Sequence, residues 1–182
     1  MKTCTREQYA EAIASDKYCH WGRWEYYQVA KEALTGVDGT GLGIGPHTCP
    51  LLRDGVYIDR RRVEGSPSPL IILDLAKNEI PFAQNEFSVC VALEVLEHLP
   101  NTAGVLRKLA TVAQRVVVSI PWNWTSGDRQ HMQCGEAWWK RVLEQAGNVR
   151  EEARELVPSN TGREHMVFRV ANKGLAEWED AK

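Results

Sequence analysis

The sequence predicts a single α/β domain with a central, mostly parallel sheet of six or seven strands and an antiparallel C-terminal strand. Two observations carry this prediction. Apolar, β-branched runs alternate along the chain with helical segments, as in a parallel sheet with crossover helices. The run 87–93 is also predominantly apolar and passes into the segment 94–98 without Gly or Pro, as a buried parallel strand feeding a helix does.

Composition narrows the class of protein. A chain of 182 residues suits one domain, and a net charge of −2 gives no indication of nucleic-acid binding. No uninterrupted apolar run approaches the ~20 residues that span a bilayer, and segment 1–17 lacks the apolar centre of a signal peptide. The five cysteines are odd in number and contain no C-x-x-C pair, which argues against disulfides or structural zinc. We therefore expect a reduced, cytoplasmic protein without a metal, a membrane partner or a nucleic-acid partner.

The N-terminal third is predicted to contain two helices and a glycine-rich strand. Segments 5–15 and 21–34 have helical patterns, and Thr5 is suited to cap the first. Together they form an N-terminal extension, 1–35, ahead of an α/β region at 36–182. Five glycines fall within Gly36–Gly45, where a short strand at 40–44 leads into a turn.

The rest of the chain alternates between strands and helices. The segment 60–69 is short and contains two prolines, which leaves little room for a crossover helix. An irregular connection is therefore expected there. Gly147 is suited to end the last helix. The predicted strands are 55–59, 70–75, 87–93 and 115–120, the helices are 95–113 and 136–145, and 155–158 and 165–171 form the final antiparallel pair.

Polar residues follow the predicted strands where open α/β sheets bind their ligands. Asp59 ends the second strand, Asp74 lies near the end of the third, and Glu94, Glu97 and His98 follow the fourth. Because the carboxyl ends of parallel strands meet at one edge of a sheet, these side chains are expected to lie close together.

The segment from Asp74 to Pro121 resembles the class I S-adenosylmethionine-dependent methyltransferases. Many small members of that family carry Leu-Glu-His-Leu after the fourth strand, as this chain does at 96–99. The spacing of Asp74-Leu75, Ile80-Pro81-Phe82 and Phe87 also matches, with Ser88 where the family usually has Asp. The resemblance spans roughly 36–147. It implies a Rossmann-like fold, S-adenosylmethionine as cofactor, and methyl transfer to a small-molecule or sugar-like acceptor.

The resemblance also implies roles for individual residues. Glycines of the turn would approach the cofactor, Asp59 would accept the ribose hydroxyls, and Asp74 with Leu75 would hold the adenine. The implied cofactor-binding residues are Gly43, Gly45, Asp59, Asp74, Leu75, Leu93 and Glu94. Within the glycine-rich segment, two positions depart from the family pattern, because Gly41 replaces an acid and His47 replaces the third glycine.

Two histidines are the predicted catalytic bases. His98 follows the fourth strand, and His131 ends the loop 122–131, which in similar proteins shapes the acceptor pocket. The aromatic residues of the N-terminal extension would cover the cleft as a lid that excludes water. They are Tyr18, His20, Trp21 and Trp24.

Structural roles are the alternatives at each position. The glycines can simply form a turn, Asp59 can pair with Arg60–Arg62, and Asp74 can cap the segment that follows it. His98 can brace its helix, and His131 can belong to a surface loop. Two other functions compete as well. A nicotinamide-dependent dehydrogenase would need a third glycine at 47–48, and a non-catalytic member of the fold would bind a cofactor or a partner without turnover.

Overall fold

A seven-stranded sheet forms the centre of the protein. The computed structural model describes residues 1–15, 21–46, 48–62, 64–123, 134–158 and 164–175. The strand order is β3-β2-β1-β4-β5-β7-β6, parallel from β3 to β5, with β7 antiparallel to both β5 and β6. The strands are β1 (Gly41–Ile44), β2 (Val56–Asp59), β3 (Leu70–Ile72), β4 (Phe87–Leu93), β5 (Ala113–Trp122), β6 (Val149–Pro158) and β7 (Glu164–Asn172). The predicted fold class is confirmed.

Strand β4 lies at the middle of the sheet and is buried on both faces. It pairs in parallel with β1 on one side and β5 on the other. Alternate residues point to opposite faces, so Cys90 and Ala92 join one apolar cluster while Val89 and Val91 join the other. Burial on both faces explains why this strand is the most continuous apolar run in the sequence.

In the described part of the chain, four α-helices cover the two faces of the sheet. They are α1 (Arg6–Ser15), α2 (Trp21–Glu32), α3 (Thr102–Val112) and α4 (Glu136–Ala146). Residues of α3 and α4 pack in the cluster on one face, and residues of α1 and α2 pack in the cluster on the other. Helix α1 begins at the predicted cap, where Thr5 Oγ1 accepts from Gln8 N (3.3 Å) and Gln8 Oε1 accepts from Thr5 N (3.1 Å).

The predicted helix over 95–113 is interrupted. A single 3-10 turn, Leu96–His98, precedes α3, and Leu99 between them is extended (φ −99°, ψ 127°). Pro100 explains the break, since proline disfavours helical conformation in the residue before it. Asn101 then starts α3 afresh by accepting a hydrogen bond from Gly104 N (3.1 Å).

Other boundaries also differ from the sequence prediction. Strand β3 ends at Ile72 rather than residue 75, whereas β5, β6 and β7 are longer than predicted. Pro121 does not end β5, because the pairing with β4 stops at Ser119 and only β7 flanks the strand beyond that point. Gly147 ends α4 as predicted, with φ 74°.

The connections between the first four strands contain no helix within the described residues. The predicted irregular connection at 60–69 is present in its described part, 60–62 and 64–69. The same holds for the links from β1 to β2 and from β3 to β4. The carboxyl ends of β1 to β3 are therefore bordered by loops in the described residues.

In the described ranges, no helix is long and apolar enough to span a membrane.

Candidate functional site

The carboxyl edge of the sheet holds several of the predicted cofactor-binding residues at or near the ends of neighbouring strands. The strand order reverses at β1, which has β2 on one side and β4 on the other. Open α/β sheets bind ligands in the crevice at such a reversal. Gly45, Asp59 and Asp74 follow three neighbouring strands along this edge, and Glu94 follows β4 on the other side of the crevice.

The glycine turn after β1 is tightly packed. Gly45 is left-handed (φ 60°), and its N donates to Ile58 O (2.8 Å). A Cβ on Gly45 would lie 2.7 Å from Val95 Cγ2, and one on Gly43 would lie 2.7 Å from Tyr57 Cδ1. Gly45 is therefore favoured by its backbone conformation and by Val95, and Gly43 is favoured by its close contact with the ring of Tyr57. Gly41 is buried within β1, and His47 lies outside the described residues.

Asp59 ends β2 at the edge of the sheet. Its side chain is partly exposed, and Oδ1 accepts from Arg61 N at 3.3 Å. Its carbonyl accepts from Leu73 N (2.8 Å), which ties it to the strand beside it. The carboxylate is thus held at the crevice by its own loop, in reach of a polar ligand.

Asp74 caps the turn that follows β3. Its Oδ1 accepts from Ala76 N (3.0 Å), and Lys77 Nζ lies 3.4 Å from Oδ2. The backbone hydrogen bond from Ala76, helped by Lys77, lowers the pKa of this carboxyl. Leu75 packs partly buried against the core. The capped segment is a turn and not the helix that the structural alternative would require, and a role in holding adenine stays a prediction.

Glu94 is held by two neighbouring strands. It is left-handed (φ 55°), an uncommon conformation for a residue other than glycine. Its N donates to Ser119 O (3.0 Å) and contacts Ser119 Oγ (3.1 Å). Ser119 Oγ in turn donates to Glu94 Oε1 (3.2 Å), and the same oxygen lies 3.2 Å from His165 Nδ1. Leu93, one residue earlier, ends β4 and is partly buried against α2's side of the sheet.

His165 is a site residue that the sequence analysis missed. It is 9% exposed near the start of β7, and its ring lies 4.7 Å from that of Tyr26 in α2. Antiparallel pairing of β7 with β5 places it opposite Pro121, at the carboxyl edge of the parallel strands. The sequence predicted the strand 165–171 and its antiparallel pairing with 155–158, but not its pairing with β5 or its register. The only available signal was a histidine opening an otherwise apolar strand.

Glu97 is buried beside Glu94. It is 1% exposed, and neither carboxylate oxygen has a hydrogen-bond partner in the described part of the chain. Burial first, and then the charge of Glu94, raise the pKa of Glu97 well above its ordinary value. The Cys134 thiol borders both glutamates, and burial with these two charges raises its pKa to about 12.

Of the two predicted catalytic histidines, His98 belongs to the described residues and His131 does not. His98 is 41% exposed on the 3-10 turn, and its Nε2 is 3.7 Å from Glu97 Oε1. His131 lies outside the described residues, together with Tyr18 and His20 and the side chain of Trp21. Trp24 is partly buried, with its ring 5.0 Å from that of Tyr9. Within the described ranges, no three His, Cys, Asp or Glu side chains are arranged to hold a metal ion.

Solved structures with the same architecture identify the fold. The fold is that of the class I methyltransferases. One similar structure is the [4+2]-cyclase SpnF, with a TM-score of 0.65 and 12% identity over 83% of this chain and 80% of that one. Magnesium protoporphyrin IX methyltransferase from Synechocystis, with bound S-adenosylhomocysteine, has a TM-score of 0.62 and 14% identity over 83% and 84% of the two chains.

A third structure covers more of the chain. It is 1,6-didemethyltoxoflavin-N1-methyltransferase from Burkholderia thailandensis, with bound 1,6-didemethyltoxoflavin and S-adenosylhomocysteine. Its TM-score is 0.61, with 15% identity over 94% of this chain and 92% of that one. No protein-family model and no curated protein sequence matches this chain. The likeness is therefore one of fold.

Proposed function

We propose that this protein binds S-adenosylmethionine and transfers its methyl group to a small-molecule acceptor. The observation that carries the proposal is the glycine turn and Asp59 on adjacent strands at the reversal of strand order, opposite the buried polar cluster after β4. Two similar structures carry S-adenosylhomocysteine, one of them together with a small-molecule acceptor. These neighbours support the cofactor assignment.

The cofactor would lie over β1 to β3. The turn at Gly43 and Gly45 would present its main chain to the cofactor, and the Asp59 carboxylate is suited to accept the two ribose hydroxyls. Asp74 and Leu75 border the adenine end, and Leu93 and Glu94 border the crevice from β4. When bound, the cofactor supplies a methyl group whose bond to sulfur breaks as the acceptor's lone pair forms the new bond, the old electron pair staying on sulfur.

The acceptor would lie over β4, β5 and β7. Helix α2, within the N-terminal extension 1–35, contributes Tyr26 to this side and would act as part of a lid. Trp122, 8% exposed, ends β5 here. His98 and His131 remain proposed bases, and His165 joins them because the Glu94 carboxylate can hold its Nδ1 proton and orient the ring.

Calorimetric titration with S-adenosylhomocysteine tests this function. We expect a Kd on the order of micromolar, weakened about tenfold or more in Asp59→Ala, because two charge-assisted hydrogen bonds are lost. The matched control is Asp54→Ala, which removes an exposed aspartate just ahead of β2, at the opposite end of the same strand. Absence of binding, or equal affinity in Asp59→Ala, would overturn the assignment, and binding of NAD instead would favour a dehydrogenase.

A binding module is the second candidate. No acid stands at Gly41, and no helix follows the glycine turn in the described residues, so the methionine end of the cofactor has fewer protein partners. A cyclase with this fold also shows that the architecture does not dictate methyl transfer. Tight binding of S-adenosylhomocysteine without its formation from S-adenosylmethionine, across amine and hydroxyl acceptors, would favour this candidate.

A further inference from the structure

Glu97 is buried without the partners that a carboxylate needs. Both of its oxygens lack a hydrogen bond in the described part of the chain, and the side chain is 1% exposed. His98 Nε2, at 3.7 Å from Oε1, is too far for a hydrogen bond. Burying an ionised carboxyl group in this way is costly unless a donor is supplied. The two Glu97 oxygens, buried without donors from the described residues at this edge of the sheet, therefore indicate that a bound ligand supplies the donor.

The orphan carboxyl belongs to a pair that borders the cofactor crevice. Glu94 interacts electrostatically with Glu97, and Val95 between them packs against the glycine turn at Gly45. The positive charge of Arg23, in α2, interacts electrostatically with both carboxyl groups. Ser119 and His165 occupy one oxygen of Glu94, but neither bonds to Glu97.

The chemistry of the pair selects its ligand. An anion would be repelled by the charge of Glu94, and an apolar group would leave the Glu97 oxygens unsatisfied. A hydroxyl offers one hydrogen and no charge, whereas an ammonium group offers several N–H donors and the compensating charge. We propose that Glu94 and Glu97 bind the ammonium group of an amine acceptor and that a carboxylate of the pair takes one proton from it. The neutral nitrogen then has the lone pair that forms the bond to the methyl carbon, while the sulfur keeps the electron pair of the bond that breaks.

This inference rests on the proposed function and names its class of acceptor. The cofactor itself has a second ammonium group, on its methionine end, that could in principle satisfy the same oxygens. The two sources differ in position, since an acceptor nitrogen must meet the transferred methyl group and the methionine nitrogen does not. Two ligands that differ in charge only at the position of the transferred methyl group separate these two sources.

Sinefungin and S-adenosylhomocysteine are suitable probes. They share the adenosine and the methionine-like end, but sinefungin has a protonated amine in place of the transferred methyl group. We expect the wild-type protein to bind sinefungin about tenfold or more tightly than S-adenosylhomocysteine, as one charge-assisted hydrogen bond allows. In Glu97→Gln this ratio should fall toward one while the Kd of S-adenosylhomocysteine stays unchanged, which also shows that the variant is folded. Glu144→Gln, the same change at an exposed position of α4, should keep the wild-type ratio.

Three results would overturn the inference. A ratio near one in the wild-type protein, or no change in the affinity for either ligand in Glu97→Gln, would mean that the pair does not face the transfer point. Equal weakening of both ligands in Glu97→Gln would assign the carboxyl to the methionine ammonium of the cofactor. Failure of the wild-type protein to bind either ligand would instead reject the proposed function on which the inference rests.

Discussion

The two halves of the sheet's carboxyl edge hold their acidic side chains in opposite ways. Over β1 to β3, Asp59 and Asp74 are partly exposed and accept hydrogen bonds from backbone amides two residues further along the chain. Over β4, β5 and β7, Glu94 is bonded to residues 25 and 71 positions away, and Glu97 is buried without a hydrogen-bond partner in the described part of the chain. The first half depends on local turns, and the second half depends on packing between strands and helices that are distant in sequence.

Because of this difference, the two halves of the edge should differ in how strongly they respond to mutation. Local turns can form from short segments, so the half proposed to hold the cofactor needs little support from the rest of the protein. A buried polar cluster holds its geometry only if every supporting element is in place, and it is costly when one partner is lost. The acceptor half should therefore be the more sensitive to mutation.

Removing one carboxylate from each half is the strongest test of the comparison. We expect Glu94→Ala to lower the free energy of unfolding by about 1–3 kcal/mol, because Ser119 and His165 are left buried without their partner. Asp59→Ala should change it by less than about 0.5 kcal/mol. Urea denaturation at neutral pH measures both. Glu94→Gln is the control that keeps an acceptor oxygen, and it should lose less; similar losses in Glu94→Ala and Asp59→Ala would remove the distinction.

The pH dependence of stability sharpens the comparison further. Because the folded-state pKa of Glu97 is raised above its ordinary 4.5, the folded protein binds this proton more tightly than the unfolded chain does. Stability should therefore fall as the pH rises from 4.5 toward the raised pKa, by at most about 1.4 kcal/mol per pH unit. Glu97→Gln should lack this contribution, so its stability relative to wild type should increase with pH.

Urea denaturation of both proteins between pH 5 and pH 8 gives this difference. A difference that does not vary with pH would show that Glu97 is not held protonated by burial.

Asp74 should give the smallest effect, and it should have the opposite sign. Its pKa is lowered by the Ala76 backbone amide and by Lys77, so its contribution is present above its ordinary 3.8 and is lost as the pH falls below that value. Asp74→Asn should therefore be slightly less stable than wild type at neutral pH, and the gap should close in acid. Thermal unfolding across pH 3 to 6 measures it, and a gap that widens in acid would contradict the expected direction.

The fold was largely predictable because its signals are local. The apolar run of β4, the glycine turn and the acids at the strand ends are each contained within a few residues. The misjudged boundaries had local causes too, since Pro100 and Asn101 together separate the 3-10 turn from α3. Strand β5 extends past Pro121 for a reason that only pairing reveals, namely that β7 alone flanks it there.

The cofactor half of the candidate site was also visible in the sequence. Gly43, Gly45, Asp59 and Asp74 lie at or just beyond the ends of consecutive strands, which a local sequence pattern can show. The acceptor half was visible only in part. Glu94 was named as a neighbour of the cofactor, but its bonds to Ser119 and His165 join three strands whose register no sequence pattern specifies.

The sequence by itself determined the α/β class, the buried strand at 87–93 and the small and acidic residues near the ends of the first four strands. Hydrophobic periodicity and turn chemistry act over a few residues, so they can be recognised along the chain. Only the tertiary structure decided that His165 meets Glu94 and that Glu97 is buried without a hydrogen-bond partner in the described ranges. Those facts depend on antiparallel docking of β7 and on the packing of α2 against it, and burial is a property of the assembled sheet rather than of any single segment.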